Sequence, residues 1–290
     1  MAIPKLSDYS LPTVGEFPDN RTTWQVNTSR AVLLIQNMQE HFIGIYGNDS
    51  PMARHLVENI VRLRDWCRDH DIPVVYTAQS SDQPTTGHAL LNDFWEPGLA
   101  EANPNQQAIV AALAPAEDDI VLTKWRYSAF QRSELGTLMQ RWGRNQLLIT
   151  GGYAHSGCLA TALEAFMNDI QAFMVGDAVV DFSAEEHHLA LKYVSTRCGC
   201  VTALADLIRG NTNLPSLDWL RQRVSDLVDE DIRTMADNEN LLDYGLDSLN
   251  VMNLVAELKA RGIILSFEEL ARNPTLEAWW ALIEQRRPAA

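Results

Sequence analysis

The sequence predicts an α/β domain with a parallel sheet flanked by helices in three layers, followed by a small all-helical domain. Six short runs between residues 31 and 204 are apolar almost throughout, and segments with helical periodicity lie between most of them. Strands of this composition are typical of parallel sheets that helices cover on both faces. After residue 215 the apolar residues recur at helical spacing, and no strand-like run follows.

The strands are predicted because each run is short, apolar and separated from the next by polar or helical sequence. In chain order they are residues 31–36, 73–78, 120–124, 146–150, 172–177 and 200–204. The intervening segments 52–70 and 155–169 are predicted to be helices. Ligands of parallel sheets bind beyond the carboxyl ends of the strands. Four polar residues lie at or just after such ends, namely Asn37, Gln79, Lys124 and Tyr153.

The domain boundary is predicted from a change in composition. Residues 208–215 read IRGNTNLP, which is rich in turn formers and typical of a linker. We therefore expect an α/β domain at 1–209, a linker at 210–215 and a helical domain at 216–290. The helices predicted in the second domain are 216–229, 248–261, 266–271 and 275–287.

The overall composition is that of an ordinary globular protein. The formal net charge of −15 argues against nucleic acid or an anionic membrane surface as the main partner. The N-terminal MAIPKLSDYSLP lacks the apolar stretch of a signal peptide, and no run is long enough to span a membrane. The four cysteines, Cys67, Cys158, Cys198 and Cys200, fit no zinc spacing. We expect reduced thiols, no metal and a cytoplasmic location.

The most specific motif is DYGLDSL, residues 243–249. Gly245 permits a tight turn, Asp247 is suited to cap the next helix, and Ser248 then lies at the start of that helix. A phosphodiester on its hydroxyl would lie near the positive end of the helix dipole. An ordinary helix cap without further function is the alternative interpretation of this motif alone.

The motif and its surroundings resemble the phosphopantetheine attachment domains of acyl, peptidyl and aryl carrier proteins. A helix precedes the motif, and FEELARNPT, residues 267–275, matches the third-helix region of those domains. The resemblance implies that Ser248 carries 4'-phosphopantetheine, whose thiol holds an acyl group as a thioester. A tethered acyl group has a raised local concentration at partner sites.

Two further segments follow strands of the α/β domain. KWRYSAF, residues 124–130, begins with a lysine at a strand end, and TGGYAHSGC, residues 150–158, joins a strand to a helix N-terminus suited to an anion. Together they favour a pocket for a carboxylate-bearing small molecule, although Lys124 taken alone favours a surface lysine that extends from a strand end. With the N-terminal segment, they resemble the isochorismatases of catechol siderophore biosynthesis.

The wider isochorismatase superfamily contains cysteine hydrolases with an Asp, Lys and Cys triad. The resemblance maps the Lys position to Lys124 and the Cys position to Gly157. Cys158 is one residue later, which turns a helical side chain by about 100°. Isochorismatases hydrolyse a vinyl ether, and this reaction needs a general acid instead of a thiolate. The resemblance further implies that Gln79, Trp95 and Tyr153 contact the substrate. His88 is a departure, since some relatives have an arginine there, and it is either a substitute hydrogen-bond donor to the substrate or a solvent-facing loop residue.

One departure from the family concerns the proton donor. The family motif is His-Asp-Met-Gln, whereas this sequence has Gln36-Asn37-Met38-Gln39, and an amide has no proton to give at neutral pH. Loss of a general acid typically costs about 10²–10⁴ in rate. Asn37 is consistent with an engineered substitution, with a natural change in a chain kept as a scaffold, or with a proton supplied by His88 or water.

The resemblance implies a bifunctional protein that hydrolyses isochorismate and carries a 2,3-dihydroxybenzoyl group. The implied partners are a 2,3-dihydroxybenzoate-AMP ligase, a phosphopantetheinyl transferase, the condensation domain of a non-ribosomal peptide synthetase and further copies of the chain. Leu249 and Met252 are candidate contacts for these partners, or core residues at helical spacing. The alternative function is a non-catalytic oligomeric scaffold and aryl carrier. A third hypothesis, a cysteine hydrolase that uses Cys158, is disfavoured by its register.

Overall fold

The computed structural model describes residues 6–47, 49–79, 89–95, 104–208, 215, 217–228, 235–260 and 263–286. The chain forms two compact units, Met1–Arg209 and Gly210–Ala290. Apart from Pro215, the predicted linker lies outside the described residues. No described helix has the length and apolar content needed to cross a membrane.

The first unit contains a six-stranded parallel sheet, which confirms the predicted fold class. The strands are β1 (Ala31–Gln36), β2 (Val74–Ala78), β3 (Ile120–Thr123), β4 (Gln146–Gly152), β5 (Gln171–Val180) and β6 (Gly199–Thr202). Their order is β3-β2-β1-β4-β5-β6, with β1 and β4 in the centre. The strand order therefore changes direction between β1 and β4. A crevice at such a switch point is where open α/β sheets bind ligands.

Helices cover both faces of the sheet. In the first unit they are α1 (Glu40–Ile43), α2 (Pro51–Asp69), α3 (Ala89–Trp95), α4 (Pro104–Gln107), α5 (Leu135–Arg141), α6 (Leu159–Met167), α7 (Ala184–Arg197) and α8 (Leu204–Ile208). Strand β1 is buried along its whole length. Ala31, Leu33 and Ile35 pack with α2 on one face, and Val32 and Leu34 pack with α5, α6 and α7 on the other.

Strand β5 runs three residues beyond the predicted end, through a Gly-Asp pair that is typical of a turn. Gly176 stays in the strand because the Phe17 ring packs against it, and a Cβ there would lie 2.5 Å from Phe17 Cζ. The Asp177 carboxylate accepts a hydrogen bond from Leu204 N, at the start of α8, at 2.9 Å. Gly176 and Asp177 therefore both make tertiary contacts within the strand. Because β5 continues to Val180, Asp181 follows the strand at the sheet edge.

The predicted helix 155–169 has two parts. One turn of π-helix, Ala154–Cys158, follows β4, and α6 begins at Leu159. The peptide bond between Gly152 and Tyr153, just before this turn, is cis. The turn brings Gly157 to the sheet edge at which β1 and β3 end.

The second unit is a helical bundle with its own core. Its helices are α9 (Leu217–Leu227), α10 (Ser248–Ala260), α11 (Phe267–Arg272) and α12 (Leu276–Arg286), with a 3-10 turn at Leu241–Tyr244. All four predicted helices are present. Trp279 is fully buried in the core, and its Nε1 donates a hydrogen bond to Leu270 O at 2.8 Å. Ser266 and Glu269 form a capping box at the start of α11.

Candidate functional site

The carboxyl end of β1 presents Gln36 and Asn37. Asn37 has a positive φ of 52° and donates its backbone N–H to Thr77 O at 3.1 Å. Asparagine adopts this left-handed conformation more readily than most residues, so it ends the strand here. Both side chains are buried. The first predicted site residue therefore lies in the interior at the switch point of the sheet.

Lys124 follows β3 and is buried at the same edge, where only 3% of the residue is exposed. Its ammonium donates a hydrogen bond to Gln36 Oε1 at 2.5 Å. Thr161 Oγ1, on α6, lies 3.3 Å from Gln36 Oε1, and its hydroxyl proton is donated to Gly157 O at 2.7 Å. Burial away from water lowers the pKa of Lys124 to about 8. The alternative of a surface lysine is therefore wrong.

Gly157 packs against this lysine. A Cβ at this position would lie 3.0 Å from Lys124 Nζ, 3.4 Å from Tyr127 O and 3.7 Å from Gln36 Oε1. Any side chain there would press on the ammonium group. The glycine therefore lets the helix turn after β4 approach Lys124 closely, and Lys124 and Gly157 are brought together as predicted.

Cys158 lies in the core behind the turn and not at the edge. The residue is completely buried, and its thiol donates a weak hydrogen bond to Gly151 O at 3.9 Å. Burial raises the pKa of the thiol to about 12. A thiol at neutral pH is not a nucleophile, because the thiolate is the reactive species. The geometry therefore agrees with the register argument against Cys158.

Gln79 is held at the end of β2 by Gln39. The Gln79 N–H donates to Gln39 Oε1 at 2.8 Å, and Gln39 Nε2 donates to Gln79 O at 2.9 Å. Gln39 Nε2 also donates to Gln107 O at 2.7 Å. These bonds use the backbone of Gln79 and fix its position, while its side chain remains partly exposed.

Aromatic side chains form a cluster beside the edge. The Phe182 ring lies 4.6 Å from the Tyr153 ring and 5.8 Å from the Trp95 ring, centroid to centroid, both edge to face. Trp95 Nε1 donates to Tyr127 Oη at 2.8 Å. The Tyr153 hydroxyl donates to Phe42 O at 2.9 Å, so its ring, and not its hydroxyl, belongs to the cluster. The predicted residue His88 lies outside the described residues.

His155 and Asp181 fasten the π-turn to the end of β5. The Asp181 carboxylate accepts hydrogen bonds from His155 N and His155 Nδ1, each at 2.5 Å, and from Phe182 N at 2.8 Å. The bond to Asp181 raises the pKa of His155. Atoms of His155, Asp181 and Glu186 that could bind a metal lie within 4.8 Å of one another. The hydrogen bonds to the carboxylate account for this proximity, and we assign no metal to the group.

Within the described part of the chain, three buried polar atoms at the ends of β1 and β2 have no hydrogen-bond partner. They are Gln36 Nε2, Asn37 Oδ1 and Thr77 Oγ1. An unpaired buried polar atom costs about 1–3 kcal/mol, and native structures keep few of them. Such atoms beside a buried lysine are typical of a site prepared for a polar ligand.

The second unit carries Ser248 as the first residue of α10, where it is exposed. Gly245 has a φ of 89°, which makes the turn, and Asp247 Oδ1 accepts from Asn250 N at 2.7 Å, which caps the helix. Leu249 and Met252 are exposed by 65% and 58%. They are therefore surface residues beside Ser248, and their assignment to the core is wrong. An exposed hydroxyl at a helix start fits a covalent phosphodiester.

Sequence reasoning missed several residues of the edge. Gln36 was visible in the sequence as the last residue of the β1 run, but its bond to Lys124 spans 88 positions. Phe182 and Asp181 lie beyond the predicted end of β5, and His155 was assigned only to a helix. The apolar residues Ala178, Val179 and Val180 were the signal in the sequence that β5 continues, which would have placed Asp181 and Phe182 at the sheet edge.

Comparison with known proteins agrees with this arrangement. Residues 31–206 match the family model described as isochorismatase domain, and residues 218–283 match that described as phosphopantetheine attachment site. Enterobactin synthase component B of Escherichia coli strain K12 is 47% identical over 98% of this chain and 99% of that protein. The isochorismatase of Bacillus subtilis strain 168 is 43% identical over 99% of this chain and 96% of that protein.

A similar solved structure is that of a cysteine hydrolase from Pseudomonas syringae pv. phaseolicola 1448A. It has a TM-score of 0.55 and 20% sequence identity, and the match covers 66% of this chain and 96% of that chain. At this identity the similarity shows a shared fold.

Proposed function

The chain belongs to the isochorismatase family, and we propose that it hydrolyses the vinyl ether of isochorismate and carries an aryl thioester on Ser248. The products of hydrolysis are pyruvate and 2,3-dihydro-2,3-dihydroxybenzoate. The aryl group is 2,3-dihydroxybenzoyl, held on 4'-phosphopantetheine for non-ribosomal siderophore assembly. Both activities lie in one chain, in the units Met1–Arg209 and Gly210–Ala290.

The observation that supports the hydrolase most strongly is the contact between Gly157 and Lys124. A side chain at 157 would crowd the ammonium, and the adjacent Cys158 is buried as a neutral thiol. This edge therefore suits a reaction without a covalent enzyme intermediate. Vinyl ether hydrolysis is such a reaction, because it needs a proton at carbon and then a water molecule.

The residues at the edge have complementary tasks in this proposal. The Lys124 ammonium and the backbone at Gly157 offer positive charge and hydrogen-bond donors to the polar part of the substrate. Gln79 is fixed beside them by Gln39. Trp95 and the Tyr153 ring form an apolar wall through Phe182. His88, which stands where some relatives have an arginine, adds a donor for a substrate carboxylate in this proposal.

Asn37 occupies the place of the family's acid. Its side chain is buried and its Oδ1 has no partner. Because an amide does not release a proton at neutral pH, we expect slow hydrolysis in this chain and an otherwise complete pocket.

The test is the release of pyruvate from isochorismate by the purified chain and by Asn37→Asp. We expect the Asp variant to be faster by about 10²–10⁴, which is the usual contribution of a general acid. Asn168→Asp, at the exposed end of α6, is the control and should leave the rate within about twofold. If neither the purified chain nor Asn37→Asp releases pyruvate, the hydrolase proposal is wrong.

The carrier function is tested by mass spectrometry after incubation with coenzyme A and a phosphopantetheinyl transferase. The chain should gain one phosphopantetheine, and Ser248→Ala should gain none. Ser225→Ala, within α9 of the same unit, is the matched control and should be modified normally. A mass gain that persists in Ser248→Ala would contradict the assignment of the attachment site.

The partners follow from the two chemistries. A 2,3-dihydroxybenzoate-AMP ligase loads the thiol, and the condensation domain of a peptide synthetase receives the aryl group. Leu249 and Met252 are exposed beside Ser248 and are the proposed contacts. We also propose that the chain forms a homo-oligomer. A cytoplasmic location is proposed as well, since the four cysteines of the chain are free thiols.

Asn37 also favours a second candidate function, in which the α/β domain is a non-catalytic scaffold for the carrier. That function predicts phosphopantetheinylation without pyruvate release. The assay above separates the two functions, because an active wild-type chain is incompatible with a purely structural α/β domain.

A further inference from the structure

The ammonium group of Lys124 is buried at the sheet edge, where a neutral amide oxygen accepts one of its hydrogen bonds. Gln36 Oε1 accepts its hydrogen bond at 2.5 Å, and Thr161 Oγ1 lies 3.3 Å from the same oxygen. Thr161 in turn donates to Gly157 O at 2.7 Å. Lys124 is buried. Because residue 157 has no side chain, the turn after β4 lies close to Lys124 Nζ. Lysine, glutamine and glycine thus form one rigid group.

The charged and titratable groups around Lys124 are few in the described part of the chain. β1 contributes the amides Gln36 and Asn37, and α6 contributes the hydroxyl of Thr161. Cys158 is the titratable group that acts on Lys124, and burial keeps its thiol neutral. Asp181 acts on Cys158 and is occupied by hydrogen bonds from His155 and Phe182. The ammonium is therefore the acidic group that these residues place at the edge.

We propose that Lys124 donates the proton in the hydrolysis of the vinyl ether, in place of the carboxyl group that position 37 lacks. This inference rests on the proposed function, whose own test is separate. Its basis is geometric, since Lys124 is a proton-bearing side chain that packs against Gly157 and is hydrogen-bonded to Gln36, the residue before Asn37. Burial also lowers the pKa of Lys124 to about 8, close to the range in which a general acid is most effective.

The proposed hydrolysis needs no reactant other than water. The Nζ–H bond breaks as the π electrons of the vinyl ether form a C–H bond at the terminal methylene carbon, and the ether oxygen stabilises the resulting cation. Water adds to this cation and returns a proton to the neutral Nζ. The hemiketal then breaks its bond to the ring oxygen, to which the hydroxyl proton moves, giving pyruvate and the alcohol.

Gln36 has a defined task in this proposal. A carboxylate at its position would hold the ammonium as an ion pair and raise the pKa of Lys124, which would weaken it as an acid. The glutamine oxygen orients Nζ without supplying a negative charge. The family's His-Asp pair is replaced here by two neutral amides, and both substitutions leave the charge on Lys124.

The first measurement is the pH dependence of kcat/KM for pyruvate release by the full-length chain. The acid must be protonated, so the rate should be constant below pH 8 and fall tenfold per pH unit above it. Lys192→Arg, on the exposed face of α7, is the matched control and should have the same profile. A rate that stays constant from pH 7 to 10 would overturn the proposal.

The second measurement separates proton donation from positioning. Lys124→Arg keeps the positive charge but holds its proton at every accessible pH. We expect it to lower the rate at least 100-fold in the wild-type chain, and less than tenfold in the Asn37→Asp background, where a carboxyl group supplies the proton. Equal losses in both backgrounds would show that Lys124 only positions the substrate.

These outcomes remain distinct from a failure of the proposed function. If the wild-type chain is inert but Asn37→Asp is active, the pocket hydrolyses isochorismate and Lys124 is not a proton donor. If both are inert, the hydrolase proposal itself falls. Circular dichroism of Lys124→Arg at each pH identifies a loss of rate that is caused by unfolding.

Discussion

Single residues decide which chemistry this sheet edge supports. At 157 the lack of a Cβ admits the Lys124 ammonium, and at 36 a neutral amide accepts its hydrogen bond. One position further, Cys158 has a thiol that the core encloses. In the proposed function, the glycine at 157 and the enclosed thiol at 158 favour a reaction without a covalent enzyme intermediate.

A prediction at this scale concerns Cys158. Because burial raises the pKa of its thiol to about 12, Cys158→Ala should retain a pyruvate-release rate within about twofold of wild type. Native protein should resist alkylation at Cys158 by iodoacetamide, and unfolded protein should be alkylated fully, as mass spectrometry of the peptides will show. A loss of more than 100-fold in a folded Cys158→Ala variant would restore the cysteine-hydrolase hypothesis.

At the scale of secondary structure, the close approach of strands β1 and β4 positions Gln36 and Asn37. Gly151 pairs with Gln36 and has a φ of 97°. A Cβ at 151 would lie 2.0 Å from Gln36 O, so the two strands touch through a glycine. The end of β1, which orients Gln36 and Asn37, therefore depends on the absence of a side chain in the neighbouring strand.

The corresponding prediction is that Gly151→Ala destabilises the α/β domain and disables the site. The left-handed backbone alone costs about 1–3 kcal/mol, and the contact with Gln36 O adds to this cost. Pyruvate release should fall at least tenfold, measured together with the unfolding free energy in urea. Gly136→Ala in α5 is the matched control, because its Cβ would lie 3.7 Å from Phe130, and should change stability by less than about 1 kcal/mol. Equal effects of the two substitutions would refute this account.

At the scale of the whole molecule, the two units have separate cores. The α/β domain has one core on each face of its sheet, and the helical unit has a third core that includes Trp279. Each unit thus buries its own apolar surface, which is the condition for independent folding. The tethered chemistry of the carrier requires this independence, since a carrier must present its group to several partners.

This organisation predicts two unfolding transitions. Trp279→Ala should destabilise the helical unit by about 3–5 kcal/mol and abolish modification of Ser248 when that unit unfolds. The transition of the α/β domain and the rate of pyruvate release should remain unchanged. Calorimetry of the full-length variant, with Trp219→Ala at a partly buried position as a milder comparison, provides the measurement. A single transition that shifts as a whole would contradict independent domains.

The fold was largely predictable from the sequence, because apolar runs and helical periodicity are local signals. The predicted runs 31–36 and 146–150 correspond to β1 and to most of β4, the two central strands. The predicted run 172–177 includes Gly176 and Asp177 but ends three residues before β5 does. Both residues contact groups that are distant in sequence, namely the Phe17 ring and Leu204 N.

The site was predictable only in part. Motifs and the family resemblance they carry pointed to Ser248, Lys124, Gly157 and Asn37, whose roles stay predictions. Only the tertiary structure joined Gln36 to Lys124 and Asp181 to His155, across 88 and 26 positions. The physical reason is that sequence patterns report which face of an element is buried, whereas the pKa of a buried lysine depends on the groups that other elements place around it.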